Sequence, residues 1–120
     1  MNKLIVLVLS LCLVAGIAFA QTAGSVTLKG YIVDNKCASG QDAAGMEEFV
    51  KNHPKSCALL PACVASGYAI YAEHMLQAFD TASNAKVEEF LKKEDSSMLV
   101  EVTANKNGDK LELISITNAQ

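Results

Sequence analysis

The residues of this chain best equipped for chemistry are one histidine and three cysteines: Cys37, His53, Cys57 and Cys63. His53, Cys57 and Cys63 share the stretch HPKSCALLPAC, which also holds Pro54 and Pro61, the two prolines of the chain. Three sulfurs and an imidazole nitrogen form a Cys3His donor set, suited to zinc or to a softer ion such as copper(I), and cysteine and histidine also serve as haem ligands. The spacing is loose for such a site. Nineteen residues separate Cys37 from Cys57, three separate His53 from Cys57, and five separate Cys57 from Cys63. Zinc knuckles hold paired ligands two to four residues apart, a rule that only His53 and Cys57 satisfy.

The amino terminus bears on which chemistry wins. Met1-Asn2-Lys3 is a short positive start, Leu4 to Ile17 is almost wholly apolar, and Ala18-Phe19-Ala20 is a small-x-small cleavage motif. Residues 1–20 read as a secretory signal peptide cut between Ala20 and Gln21, leaving no membrane span in the mature chain. Cys12 leaves with it. The protein is therefore expected in the periplasm or outside the cell, where thiols are oxidised. Three mature cysteines permit one intramolecular disulfide and leave one thiol over. A bridge from Cys37 to Cys57 or Cys63 would close a loop of about twenty residues and contribute roughly 3 kcal/mol. On one continuous helix Cys57 and Cys63 would lie about 9 Å apart along the axis, too far to bond, unless Pro61 folds the segment. Thiol catalysis has less support: there is no Cys-x-x-Cys motif and no evident group to orient His53.

Composition removes other functions. Residues 21–120 form one small domain, in which nine lysines face thirteen acidic residues for a net charge of −4, with no arginine. Such a surface is a poor match for nucleic acid. No Gly-rich phosphate loop and no Ser-His-Asp spacing is present. Glu47-Glu48 and Glu88-Glu89 are adjacent on expected helices and diverge, so neither is a paired-carboxylate site. Asp34 reads as a turn or cap residue and His74 as a solvated turn residue. Met46, Met75 and Met98 read as core filling, and Tyr31, Tyr68 and Tyr71 as packing.

The elements that must position these residues follow from periodicity. Val26 to Asp34 alternates as a strand, with Gly30 marking a bend or bulge. Asn35 to Gly67 is too long to be structureless. Within it, Asp42 can cap a helix whose Met46, Phe49 and Val50 share a face, and Pro54 stops that helix, forcing His53 out of the helical region. Ser56 can cap a turn through Leu60, and Gly67 stops a further turn over 62–66. Tyr68–Ala72 and Met75–Phe79 read as strands joined through Glu73-His74. Asp80 or Thr81 caps a helix with Val87, Phe90 and Leu91 buried. Met98–Asn105 and Lys110–Thr117 are strands joined at Asn107-Gly108. Five strands with a helix between the third and fourth, and a helical Cys-bearing insertion between the first and second, predict a mainly β (α+β) domain of OB-fold type, a five-stranded barrel.

LKGYIVDNKCASG, HPKSCALLPACVASGYAIY, the Asp-capped helix and the closing GDKLELISI together resemble a group of small, exported, uncharacterised bacterial proteins with an OB-like barrel. The shared features are a strand ending Gly-x-x-x-Asp-x-x-Cys, here Gly30, Asp34 and Cys37, and two further cysteines before Ser66-Gly67-Tyr68. The resemblance implies the fold and brings no established chemistry; Glu73-His74 departs from the Asp-Gly type of turn common in that group. The leading reading is a non-enzymatic binding or structural module of the cell envelope, its insertion stapled by a disulfide, meeting an envelope protein or a small ligand. The alternatives are a soft-metal or haem-handling protein using Cys37, His53, Cys57 and Cys63, and a thiol-redox or covalently linked envelope protein using the leftover cysteine.

Overall fold

The computed structural model describes residues 25–120. The expected signal peptide, Cys12 and the expected Ala20/Gln21 cleavage point lie outside that range. Ten elements follow in order: β1 (Ser25–Asp34), α1 (Asn35–Ala38), α2 (Met46–Asn52), α3 (Lys55–Ala58), α4 (Pro61–Ser66), β2 (Tyr68–Ala72), β3 (Met75–Phe79), α5 (Thr81–Leu91), β4 (Leu99–Asn107) and β5 (Lys110–Asn118). One mixed sheet closes in a ring in the order β1-β2-β3-β5-β4, though not as a regular barrel. The helix between β3 and β4 and the helical insertion between β1 and β2 stand where the sequence placed them.

All neighbours in the ring are antiparallel except β3 and β5, which meet in parallel through two residue pairs, Ala78 with Lys110 and Phe79 with Leu111. β1 serves two partners in succession, pairing with β4 over Ser25–Tyr31 and with β2 over Tyr31–Asp34. Gly30 sits at this handover, where any Cβ would overlap the Tyr71 carbonyl. Of the bend or bulge expected at Gly30, no register shift is found there; the shift lies opposite Thr103 and Ala104 of β4, where Ile114 of β5 is the extra residue.

The alternation of β1 divides its side chains between two cores. Leu28 and Ile32 point into the ring, where they pack with Ile70, Val100, Val102 and Leu113, and Val87 and Leu91 of α5 join the same cluster. Val33 points outward and is covered by Met46 and Val50 of α2, with Ala38 and Ala69. The insertion is therefore held by an apolar layer of its own on the outer face of β1 and β2.

Several local expectations are refined. Asp80 caps α5, accepting from the Ser83 amide at 2.8 Å. Asp42 accepts from the Gly45 amide in the turn before α2, and Gly45, not Asp42, stands at the cap position. Pro54 replaces Ser56 as the residue before α3, and Pro61 starts α4. The β4–β5 turn falls one residue later than Asn107-Gly108, because Asn107 still pairs with Lys110 and the loop is Gly108-Asp109. Its positive φ of 63° at Gly108 is the first-position glycine of a tight hairpin turn. Met46 and Met98 pack in the two cores, whereas Met75 is exposed. Among the described residues, no helix is long and apolar enough to cross a membrane.

Candidate metal centre

The site forms where β1 runs into the insertion. Asp34 is the last residue of β1, with extended backbone (φ −78°, ψ 145°), and it caps α1. Its Oδ2 accepts the Cys37 amide at 2.9 Å. This bond fixes the first turn of the insertion and directs Cys37 back toward the carboxylate. α4 is then fastened alongside α1. The Asn35 amide donates to the Gly67 carbonyl at 2.9 Å, and the Asn35 side chain donates to the Ser66 carbonyl at 2.9 Å. The Lys36 amide reaches the Ser66 hydroxyl at 3.0 Å, and that hydroxyl donates to the Cys63 carbonyl at 2.6 Å. Gly67 ends α4 at φ 79°, a left-handed value that favours glycine. These bonds bring Cys63 opposite Cys37.

One oxygen of Asp34 and the sulfurs of Cys37 and Cys63 all lie within 4.8 Å of one another. The two cysteines approach to 4.1 Å, well beyond the about 2.05 Å of a disulfide. Asp34 is fully buried, Cys63 is buried and Cys37 is half-buried. The carboxylate is also held by His53, whose Nε2 lies 2.7 Å from Asp34 Oδ1, with both side chains buried. An ionised carboxylate only accepts, so His53 carries a proton on Nε2 and donates it. The ring of His53 stacks on Phe49 with centroids 4.9 Å apart. Its backbone is extended (φ −75°, ψ 114°), as the following proline demands.

The electrostatics of the cluster are those of one anion among two thiols. Burial pushes Asp34 up, but the Cys37 amide, His53 and the two thiols together hold it below the ordinary carboxylate value. Burial, then the neighbouring Asp34 carboxylate, then Cys63 push the Cys37 thiol up to about 12. Burial and Asp34 raise Cys63 as well. At neutral pH the centre is therefore an ionised carboxylate beside two protonated thiols. A bound cation inverts that order, because its charge favours thiolates and coordination releases their protons.

The sequence-derived Cys3His set is thus divided. Cys37 and Cys63 meet. His53 joins them through Asp34 and is not within the close donor group, and half-buried Cys57 stands on α3 outside it. Pro61 does break the segment, placing Cys57 and Cys63 on separate helices. The residue that sequence reasoning undervalued is Asp34. It does cap, as expected, and it is also the hub between both thiols and His53; its position three residues before Cys37 was the available signal. Of the other candidates, His74 is largely exposed and faces Glu47 at 3.7 Å. Glu47 pairs with Lys51, and Glu88 with Lys92. Comparison with family models, with curated proteins and with solved structures finds no match for the chain.

Proposed function

We propose that the protein is an exported, OB-like module of the cell envelope that binds a divalent metal ion of the zinc type through Asp34, Cys37 and Cys63. The observation that carries this reading is the spacing of the donors. Two sulfurs each about 2.3 Å from a tetrahedral zinc lie about 3.8 Å apart. The 4.1 Å between Cys37 and Cys63 is within a few tenths of an ångström of that. A disulfide instead needs the pair to close by about 2 Å. Each carboxylate oxygen has two lone pairs, so Asp34 can keep its bonds to His53 and the Cys37 amide while offering one more to a metal. His53 then acts on the ligand and not on the metal, fixing the carboxylate's orientation as outer partners of metal ligands commonly do. Haem fits less well, because Nε2 of His53 is already committed to Asp34. The ring order with its single α5 crossover, and the resemblance carried by Gly30, Asp34 and Cys37, support the OB-like assignment.

The test is native mass spectrometry and metal analysis of protein purified from the envelope without reductant. One zinc-type ion per chain, lost together in Cys37→Ser and Cys63→Ser and retained in Cys57→Ser, is the expected result. A second reading is favoured by the same proximity in an oxidising compartment: Cys37 and Cys63 as a disulfide staple. It predicts a chain two hydrogens lighter, no stoichiometric metal, and a Cys37–Cys63 cross-linked peptide. That result would replace the metal reading.

A further inference from the structure

A second feature, independent of the cysteines, lies on the outer face of the ring. A groove of about 280 Å³ runs between α2 and the β2–β3 turn. Its floor is Tyr31 and Tyr71, which face each other directly in the β1–β2 register. Both are half-buried, unlike Tyr68, which is fully buried with its hydroxyl on the Ala58 carbonyl at 2.8 Å. Tyr31 and Tyr71 pack in part against the outer core under α2, and each stays partly exposed along the groove. Val50 of α2 adds an apolar side chain to the lining.

The end of the groove is built at a conformational cost. Glu73 and His74 both take positive φ, 53° and 60°, though neither is glycine or asparagine. Each left-handed residue of that kind costs of order 1–3 kcal/mol, and such strain concentrates where side chains are needed in a set place. Here the turn delivers the His74 imidazole to 3.7 Å from Glu47, across the groove from α2. Glu47 also holds Lys51 at 3.2 Å. Lys29 and Glu73 add one charge of each sign to the lining. With His74 neutral, Lys29 and Lys51 balance Glu47 and Glu73, so the rim offers donors and acceptors but no net charge to select an ion.

We propose that this groove binds an uncharged saccharide, one pyranose ring lying with its C–H face on Tyr31 and Tyr71 and its hydroxyls bonded to the Glu47, Lys51, Glu73 and His74 rim. An apolar aromatic floor with a few convergent polar groups is the general form of a small-molecule site, and tyrosine supplies both a flat face and a polar tip. The volume admits about one ring, so longer chains would extend past the groove. The charge balance of the rim excludes preference for a strongly anionic or cationic ligand.

The chain has no tryptophan and three tyrosines, so tyrosine emission reports mainly on the floor of the groove. The purified protein is titrated with chitotriose, cellotriose and maltotriose, and separately with tetramethylammonium and acetate. A saturable change with at least one neutral sugar, weakened at least tenfold by Tyr71→Ala and unchanged by Cys37→Ser, is the expected result. Amide chemical shifts of the unmutated protein give the same answer without a variant: Tyr31, Tyr71, Glu73 and His74 move with the sugar while Ile114 to Ile116 do not. No saturable response to any of the three sugars, shifts confined to other strands, or tighter binding of either ion overturns the proposal. Loss of metal in Cys37→Ser with sugar binding intact shows the two sites to be separate.

Discussion

Replacing Asp34 separates the two tasks this residue performs, and the structure gives the size of each effect. In Asp34→Ala the Cys37 amide loses its cap acceptor and the buried His53 Nε2 loses its partner, bonds now at 2.9 and 2.7 Å. Losing a buried hydrogen bond to a charged group costs about 1.5–3 kcal/mol, and losing a helix-cap acceptor costs about 0.5–2 kcal/mol more. For a domain of this size each kcal/mol lowers the melting temperature by roughly 4–8 °C, so the variant melts at least about 8 °C lower. Asp34→Asn behaves differently. Its oxygen can still accept the Cys37 amide, and its amide can donate to His53 once that ring moves its proton to Nδ1. The expected loss is about 1–2 kcal/mol, on the scale of ordinary buried hydrogen bonds. The negative charge is gone, however, and with it one of the causes that push Cys37 up to about 12. The assay is a urea melt of metal-free protein in a Cys57→Ser background, followed by alkylation rate against pH. The alkylation midpoint of Cys37 moves to lower pH in the Asn variant. An alanine variant destabilised by less than about 1 kcal/mol, or an Asn variant with an unmoved thiol midpoint, refutes Asp34 as the hub.

Three further outcomes follow from the fold. Gly30→Ala should fail to give a cooperatively folded protein, seen as loss of a sharp thermal transition, since the new methyl overlaps the Tyr71 carbonyl. Replacing Glu73-His74 by Asn-Gly should raise stability by about 1 kcal/mol or more, measured by urea midpoint, because those residues accept left-handed backbone at low cost. Acid should act partly through Asp80, whose carboxyl is held below the ordinary value by the Ser83 hydroxyl and amide at the start of α5. A depressed carboxyl contributes stability above its unfolded value of about 3.9, and that contribution is lost as pH falls through the lower folded value. Thermal melts from pH 6 down to 2 should therefore show a shallower acid limb in Asp80→Asn.

The parts of this architecture that sequence reveals are those set by local chemistry. Pro54 and Pro61 break the insertion where they stand, Asp80 caps α5, and the alternation of β1 and β4 names their buried faces. What sequence conceals depends on contacts between distant residues. Cys63, and not Cys57, meets Cys37 because Asn35 and Lys36 dock on Ser66, some thirty residues away. The outer core under α2 exists because Val33 faces away from the ring, which alternation permits but does not assign to a partner. Glu73-His74 violates turn preferences, so its left-handed geometry has no signal in residue type. Asp34 was legible as a cap, but its third and fourth contacts come from residues 53 and 63.

The two-pair junction of β3 with β5 makes this ring a clasped band and not a uniform tube. Beside it, the Asp80 amide donates to the Leu111 carbonyl at 2.9 Å, and the Leu113 amide donates to the Ser83 hydroxyl at 2.8 Å. The clasp is thus fastened by the first turn of α5, whose cap is Asp80 itself. Unclasping the band unwinds the start of that helix and uncovers Val87 and Leu91, so the seam with the fewest strand contacts opens only together with the interior. Hydrogen exchange at Leu111 and Leu113 should accordingly track the amides of α5 and not those of the exposed β4–β5 turn.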